Sequence, residues 1–182
     1  MTGPIAIRRL APSDIELISE IDRSEEMSVE YEVVDGRLTS RQVSLDVPTW
    51  DPVGTGPHSV AAVIEFWEPI VADGAAFFGA FNADQLLGLA IVDGAFEPGM
   101  AWLAFLYVSR PYRRSGVASV LWAEAERLAL EAGADSMYVS AVPSGSAVGF
   151  YLSRGCVLAG SSTHPRLYRL EPDDIHLVCG LR

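Results

Sequence analysis

A short polar segment follows an apolar run in the second half of the chain, and its residues are suited to binding an anion. The segment begins at Pro111, contains Arg113 and Arg114, and reaches Gly116, where an amphipathic run starts. The first N–H groups of a helix lack intrahelical partners and lie at the positive end of its dipole. A glycine lets an anion approach the backbone, and arginines add charge and paired donors. The segment therefore predicts a phosphate or pyrophosphate site.

Several common nucleotide and lysine chemistries are excluded. All 13 basic residues are arginine, so a lysine Schiff base, a catalytic lysine and a Walker lysine are ruled out. The segment also lacks the G-x-x-x-x-G-K spacing of a P-loop and the G-x-G-x-x-G spacing of a dinucleotide fingerprint.

The surrounding pattern predicts a mixed α/β sheet in a single domain, residues 1–182, with helices interspersed among the strands. Three consecutive apolar runs before the polar segment predict an antiparallel meander, and Asp35-Gly36 predicts a hairpin turn. The predicted strands are Ile5–Arg8, Tyr31–Val34, Arg37–Val47, Ala75–Asn82, Gln85–Asp93, Met100–Ser109, Ser136–Ala141, Cys156–Leu158 and Ile175–Leu181. The predicted helices are Ala11–Ile21 with Ser13 as a possible N-cap, Ser24–Glu30, Ser59–Ala72, Gly116–Ala132 and Ser146–Ser153. Residues 48–58, with three prolines and two glycines, predict an exposed loop.

The sequence resembles the GNAT superfamily of N-acetyltransferases. The family's acetyl-CoA motif, Gln/Arg-x-x-Gly-x-Gly/Ala between a strand and a long helix, corresponds here to Arg113-Arg114-Ser115-Gly116-Val117-Ala118. Downstream, Ala147-Val148-Gly149-Phe150-Tyr151 and Gly155-Cys156 resemble the family's A-x-x-F-Y…G-F element. The resemblance is strong over residues 75–158 and weaker over 1–74. It implies the GNAT fold, a mixed, mostly antiparallel sheet flanked by helices.

The resemblance also implies roles for individual residues. Tyr151 would be the general acid that protonates the leaving thiolate, and Ser144 stands where many members place a CoA-binding asparagine. The other implied contacts to acetyl-CoA are the backbone groups of Leu106, Tyr107 and Val108 with the pantetheine arm, the backbone N–H groups of Arg113, Arg114, Ser115, Gly116, Val117 and Ala118 with the pyrophosphate, and Ser119 near it. No metal is implied.

The chemistry implied is direct acyl transfer without an acyl-enzyme. The thioester carbonyl needs a polarising donor, for which the N–H of Leu106 or Val108 is the candidate. An alkylammonium has a pKa near ~10, so a base must accept its proton. Asp93, Glu97 and a relay through ordered water remain open for that role. Cys156 is a weak candidate nucleophile, because no histidine lies near it in a recognised pattern.

The charge is uneven along the chain, so that the first part could suit a cationic ligand and the second an anionic one, while an acidic surface can also serve only to keep a protein soluble. The net charge is −11, and residues 1–100 hold 17 acids and 5 arginines, whereas residues 101–182 hold 7 acids and 8 arginines. This balance argues against nucleic acid and anionic membranes as partners. The residues expected to form an acidic, aromatic-lined cleft are Glu25, Glu26, Glu30, Tyr31, Glu65, Glu68, Trp67 and Trp102. This layout is similar to that of antibiotic-modifying members of the family, such as streptothricin acetyltransferases.

Together these features predict an acetyl-CoA-dependent N-acetyltransferase that acts on a primary amine of a small, cationic molecule, with a homodimer possible. A CoA-binding sensor or partner protein without catalysis, and an acetyltransferase of peptide or protein amines, are the alternatives. Two cysteines, Cys156 and Cys179, are expected to be free, buried thiols in a reducing cytoplasm. No apolar run reaches the length of about 18 residues that a membrane span needs, and the N-terminus does not resemble a signal peptide.

Overall fold

The central element is a seven-stranded sheet in the order β1-β4-β5-β6-β7-β9-β8. The computed structural model describes residues 4–160 and 163–182. The strands are β1 (Ala6–Arg9), β2 (Glu25–Val34), β3 (Arg37–Val47), β4 (Ala76–Asn82), β5 (Gln85–Glu97), β6 (Met100–Val108), β7 (Ser136–Ala141), β8 (Val157–Leu158) and β9 (Ile175–Gly180). The α-helices are α1 (Val60–Ala72), α2 (Val117–Glu131), α3 (Gly145–Ser153) and α4 (Pro165–Leu170), and a 3-10 helix spans Pro12–Glu20. The predicted mixed, mostly antiparallel sheet flanked by helices is confirmed.

The pairing of β6 changes halfway along the strand. Ile91 of β5 lies opposite Phe105 and Val92 lies opposite Leu103, so Ala104 is an extra residue that forms a bulge. The parallel pairing of β6 with β7 ends at Leu103 and Val139. A bulge bends its strand and interrupts the ladder. The strands β6 and β7 therefore part from Ala104 onward.

The bulge also reverses which side chains of β6 point to each side of the sheet. Before it, Leu103 belongs to the apolar cluster under α2 and α3, and Trp102 belongs to the cluster under α1 and the 3-10 helix. After it, Phe105 and Tyr107 lie on the α1 side, while Leu106 and Val108 lie on the α2 side. One inserted residue inverts the two-residue alternation of a strand.

Two predicted elements near the N-terminus differ from the structure. Ser24–Glu30 was expected as a helix, but Glu25–Val34 is strand β2, paired with β3 from Glu25↔Val47 to Val34↔Arg37. A seven-residue helix is marginal alone, whereas the hairpin pairs the backbone groups of alternate residues of this segment with β3. Its turn is the predicted Asp35-Gly36, with φ values of 50° and 73°. The segment 11–21 is a 3-10 helix whose capping carboxylate is Asp14, which accepts the Ala11 N–H at 2.7 Å, and Ser13 is not the cap.

Helix α4 is absent from the sequence-based prediction. Its N-cap is His164, whose Nδ1 accepts the Leu167 N–H at 3.1 Å and whose Nε2 lies 2.7 Å from Glu97 Oε1. Histidine is not a usual N-cap, so the sequence carries little signal for this helix. No helix in residues 4–160 and 163–182 is both long and apolar enough to cross a membrane.

The cysteines are not free, contrary to expectation. Cys156 and Cys179 form a disulfide, and both are buried. Since Val157 of β8 pairs with Val178 of β9, the two cysteines lie opposite each other where these strands meet. Their spacing in the sequence shows no such pairing, because β8 and β9 are separated by α4. The argument for a reducing compartment from free thiols therefore loses its basis.

The disulfide yields a stability prediction. Replacing both cysteines by serine, or adding reductant, is expected to lower the free energy of unfolding by about 2–4 kcal/mol, since the bridge closes a loop of 23 residues. Urea titrations with and without reductant measure this difference. The double variant is the control, since reductant should leave its midpoint unchanged. An equal midpoint for the wild type in both conditions would contradict the bridge.

Candidate active site

The opening between β6 and β7 exposes backbone donors of β6. Ser109 donates its N–H to Leu87 of β5 at 2.9 Å. Because N–H directions alternate along a strand, the N–H groups of Tyr107 and Phe105 also face β5, opposite Leu89 and Ile91. The N–H groups of Leu106 and Val108 therefore face the opening. These N–H groups are the two candidate donors that the sequence predicts for a thioester carbonyl.

The N-terminus of α2 lies beyond the end of β6. Its N-cap is Gly116, which has a left-handed backbone with φ of 89°. Arg114 is also left-handed, with φ of 61°, whereas Ser115 between them is not. Such an alternation is typical of loops whose successive N–H groups point into one concavity and bind anions. A Cβ at Gly116 would meet no atom within 4 Å, so the space beside this glycine is open.

The Arg113 side chain does not face that concavity. Its Nε donates to Val108 O at 3.0 Å, and its Nη1 and Nη2 donate to Ser24 O and Arg23 O, each at 3.0 Å. Its N–H donates to Arg110 O at 3.3 Å. The guanidinium of Arg113 is therefore engaged within the protein, and a contact of its backbone N–H with the pyrophosphate stays a prediction. The guanidinium instead fixes the backbone of residues 22–24 against the end of β6.

The remaining residues of the predicted cofactor set surround α2 and α3. Val117 is buried under α2, and the Ser115 hydroxyl donates to Tyr112 O. Ser119, on the first turn of α2 after Ala118, accepts a hydrogen bond from Arg154. Ser144 caps α3 by accepting the Ala147 N–H at 3.2 Å, and it contacts the Ser146 hydroxyl at 3.0 Å. Contacts of these residues with acetyl-CoA stay predictions.

Tyr151 lies on the α2 side of the opening. It projects from α3 into the core, is buried, and packs against Trp122 with ring centroids 5.9 Å apart. Burial raises the pKa of its hydroxyl, and the nearby Tyr107 and Asp174 raise it further. The hydroxyl is therefore protonated at neutral pH, as a general acid requires.

The α1 side of the opening carries Tyr107. Burial raises the pKa of its hydroxyl to about 12, with Arg23 lowering it and Asp174 and Glu171 raising it. Arg23 is buried, and its Cζ stacks 4.5 Å from the centre of the Trp50 ring. The Trp50 ring in turn meets the Tyr107 ring edge-on at 5.6 Å. A buried cation thus adjoins one side of Tyr107.

Two half-buried carboxyl groups affect Tyr107 as well. Burial raises the pKa of Glu171 to about 7, with a smaller lowering by the Ser140 hydroxyl and an added increase from Asp174. Burial likewise raises the pKa of Asp174 to about 6, and Asp173 adds to it. Glu171 Oε2 and Ser140 Oγ, although close, do not meet hydrogen-bond geometry, and neither has another partner among the described residues. A carboxyl group with a pKa near neutrality in a cleft is typical of a catalytic acid or base.

A histidine fixes the position of Glu171. His176 Nε2 lies 2.9 Å from Glu171 O, and its Nδ1 lies 2.9 Å from the Tyr138 hydroxyl. A carbonyl oxygen only accepts, so Nε2 carries the proton and Nδ1 accepts from Tyr138. Burial lowers the pKa of His176, which favours this neutral form. The histidine thus anchors the backbone at the C-cap of α4.

Sequence reasoning missed Glu171, Asp174 and Arg23. Asp174 directly precedes β9, and Glu171 follows α4, but without the fold these acids resemble an exposed turn. Arg23 similarly stands in a polar stretch between two elements. Only the sheet order, which brings the start of β9 beside β7, places the two carboxyl groups at the opening.

The acids that were considered as bases lie elsewhere. Asp93 lies opposite Trp102, and Glu97 lies opposite Met100, in the part of β6 that precedes the bulge. Asp93 accepts the Ala95 N–H at 3.2 Å, and Glu97 contacts His164. Neither lies where β6 and β7 part, so the structure gives no support to either as the base.

The expected acidic cleft is not formed either. The three glutamates of β2 that were expected to line it each contact an arginine: Glu25 contacts Arg113, Glu26 contacts Arg110, and Glu30 contacts Arg41. Tyr31 packs against the α2-side core, while Glu65 and Glu68 are exposed on α1. Trp67 and Trp102 are core residues with ring centroids 6.0 Å apart. The carboxyl groups that face the opening are those of the C-terminal segment instead.

Comparisons with solved structures show the same fold. The chain is similar to nourseothricin acetyltransferase, with a TM-score of 0.67, 17% identity, and coverage of 99% of this chain and 100% of that one. A Bacillus anthracis protein assigned as a streptothricin acetyltransferase, crystallised with acetyl coenzyme A, gives a TM-score of 0.70, 20% identity, and 99% and 100% coverage. N-acetylglutamate synthase from Neisseria gonorrhoeae, crystallised with coenzyme A and L-arginine, gives a TM-score of 0.64 and 17% identity. This match covers 98% of this chain and 33% of that one.

Sequence comparison with curated proteins gave no significant match. The sequence pattern of the acetyltransferase (GNAT) family, however, matches residues 44–156, which include β4 to β7, α2 and α3. That match spans more than half of the chain and contains the parting strands, the left-handed glycine and the tyrosine of α3. The chain therefore belongs to the GNAT acetyltransferase family.

Proposed function

We propose that this protein transfers the acetyl group of acetyl-CoA directly to a primary amine of a small, cationic molecule. The observation that carries the proposal is the opening between β6 and β7. It exposes backbone donors of β6, leads to the left-handed N-terminus of α2, and is adjoined on its α1 side by the half-buried carboxyl group of Glu171. The family supports the reaction class. The cytoplasmic location and the homodimer stay predictions.

The described residues fit acetyl-CoA. The open space beside Gly116 suits a pyrophosphate, and the N–H groups of Leu106 and Val108 suit the amides and carbonyl of an extended pantetheine thioester. When bound, acetyl-CoA supplies a thioester carbonyl carbon, to which the amine nitrogen bonds as the carbon–sulfur bond breaks. In that position one of the two N–H groups polarises the carbonyl and stabilises the negative charge that develops on its oxygen, and the other bonds a pantetheine amide, because the two lie two residues apart along β6.

Glu171 is the proposed general base, and Tyr151 the proposed general acid. The carboxylate of Glu171 accepts a proton from the acceptor ammonium, so that a neutral nitrogen attacks. The hydroxyl of Tyr151 gives its proton to the leaving thiolate from the opposite face. Because Glu171 and Tyr151 lie on different faces of the sheet, the two proton transfers occur on opposite sides of the reacting carbon.

Binding of acetyl-CoA is expected to depend on an uncharged residue at position 116. Asn and Asp both tolerate a left-handed backbone better than most residues, and they differ almost only in charge. We expect Gly116→Asp to weaken acetyl-CoA binding at least about tenfold more than Gly116→Asn does, because the carboxylate repels the pyrophosphate. Isothermal titration of both variants measures this. Equal affinities, or no binding by the wild type, would contradict the proposed site.

If Tyr151 is the general acid, removing its hydroxyl should lower the turnover number without weakening acetyl-CoA binding. Tyr151→Phe should lower kcat by roughly a hundredfold or more while the Kd of acetyl-CoA stays unchanged. The acetylation rate is measured by thiol release with a panel of small amines. Tyr107→Phe, which removes a hydroxyl from the other face, is the matched comparison. A larger loss in Tyr107→Phe would assign the proton donor to Tyr107, and binding of acetyl-CoA without turnover of any amine would favour a CoA-binding sensor.

The role of Glu171 predicts a pH dependence. A base must be ionised, so kcat/KM should rise with pH through about 7, the raised pKa of Glu171, and level off above it. In Glu171→Gln this acidic limb should disappear and the plateau should fall by roughly a hundredfold or more. Asp174→Asn should keep the limb and move it to lower pH, because removing Asp174 lowers the pKa of Glu171. An acidic limb that persists unchanged in Glu171→Gln would assign it to another group.

A further inference from the structure

Three buried N–H donors on the α1 side of the opening have no partner. Among the described residues, Arg23 Nε, Arg23 Nη1 and Trp50 Nε1 make no hydrogen bond. Arg23 is 8% exposed and Trp50 is 6% exposed, so bulk solvent scarcely reaches these donors. Arginine is almost never buried without a partner, because an unmet buried donor destabilises the protein. A ligand that supplies oxygen acceptors would offset this destabilisation.

These donors are held in place by the protein. The guanidinium of Arg23 lies 4.5 Å above the Trp50 ring, which fixes its plane. The backbone of Arg23 is fixed by Arg113, which donates to Arg23 O at 3.0 Å. Trp50 is anchored edge-on against Tyr107, at the centre of the proposed acceptor site. A rigid guanidinium beside an indole N–H is suited to a planar carboxylate, which can accept two parallel hydrogen bonds.

Groups of the opposite polarity also adjoin Tyr107. Among the described residues Glu171 Oε2 is a buried acceptor without a partner, and Asp174 adds a second carboxyl group. Both carboxyl groups and the guanidinium of Arg23 are close enough to Tyr107 to influence its pKa, in opposite directions. The surroundings of Tyr107 therefore hold both donors, at Arg23 and Trp50, and acceptors, at Glu171 and Asp174.

We infer that the acceptor substrate is an amine that also carries a carboxylate, with its ammonium group at Glu171 and its carboxylate on Arg23 and Trp50. This inference rests on the proposed function and narrows its substrate class to amino-acid-like amines. A purely cationic amine would leave the donors unmet and place its charge near Arg23. A diamino acid keeps a net positive charge and satisfies both the donors and the acceptors.

Two matched pairs of amines test the inference. L-Lysine and L-ornithine are compared with cadaverine and putrescine, which have the same amine chain without the carboxylate. We expect kcat/KM of the wild type to be at least about tenfold higher for the carboxylate-bearing member of each pair. Arg23→Met keeps the aliphatic packing on Trp50 and should bring this ratio close to one, mainly by raising KM for the amino acids.

Two further variants separate binding from folding. Trp50→Phe keeps the stacking surface but removes Nε1, and it should reduce the same ratio by a smaller factor. Arg41→Met removes an exposed arginine of the β2–β3 hairpin and should leave the ratio unchanged. If Arg23→Met does not fold, as judged by circular dichroism and acetyl-CoA affinity, Trp50→Phe and Arg23→Lys provide the same comparison.

The results that would overturn this inference differ from those that would overturn the proposed function. Failure of the wild type to bind acetyl-CoA removes the proposed function, and the acceptor class with it. Binding of acetyl-CoA with an amino-acid to diamine ratio of one or less, a ratio unaffected by Arg23→Met and Trp50→Phe, or no acetylation of either pair overturns the acceptor class alone.

Discussion

The extra residue at Ala104 is the constraint on which the arrangement of the site depends. If β6 stayed regular, it would continue to pair with β7, and its backbone donors beyond Leu103 would be used within the sheet. The bulge ends that pairing in the middle of a buried sheet, where an unmet N–H is costly. That cost is accepted only where something else supplies the acceptor. A bound thioester running between the strands would do so, which links this local irregularity to the proposed reaction.

The same residue decides which side chains surround the opening. Because it inverts the alternation of β6, Tyr107 lies on the face of α1, whereas Tyr151 reaches the opening from α3 on the other face. The two faces consequently differ in chemistry. The α2 side offers backbone N–H groups and a protonated phenol, and the α1 side offers a guanidinium and two carboxyl groups of raised pKa. This division lets one substrate be bound from each face.

The parts that sequence predicts well are those governed by local interactions. The strands from Ala76 to Val108 form the predicted meander, and α2 begins beside the predicted glycine, because apolar runs, turn residues and the helix start are encoded within a few positions. The roles of the acidic side chains were predicted wrongly, because their contacts are with residues distant in the sequence. Whether Glu25 meets Arg113 or Glu171 lies beside Ser140 depends on strand order, which a single sequence does not specify. The disulfide was not predicted for the same reason, since it also depends on strand order.

Arg113 links the proposed phosphate-binding loop to the proposed acceptor-binding residues. The arginine belongs to the motif that predicted an anion site. Its guanidinium, however, donates hydrogen bonds to the backbone carbonyls of Val108, Arg23 and Ser24. Asp22 strengthens this connection, because its N–H donates to Ser109 Oγ at 3.1 Å and its carbonyl accepts from Arg110. The loop that carries Arg23 is thus fixed to the strand end that leads into α2. A shift of the loop before α2 on binding acetyl-CoA would therefore also move Arg23. The geometry of the proposed acceptor site thus depends on the same residues that shape the proposed co-substrate site.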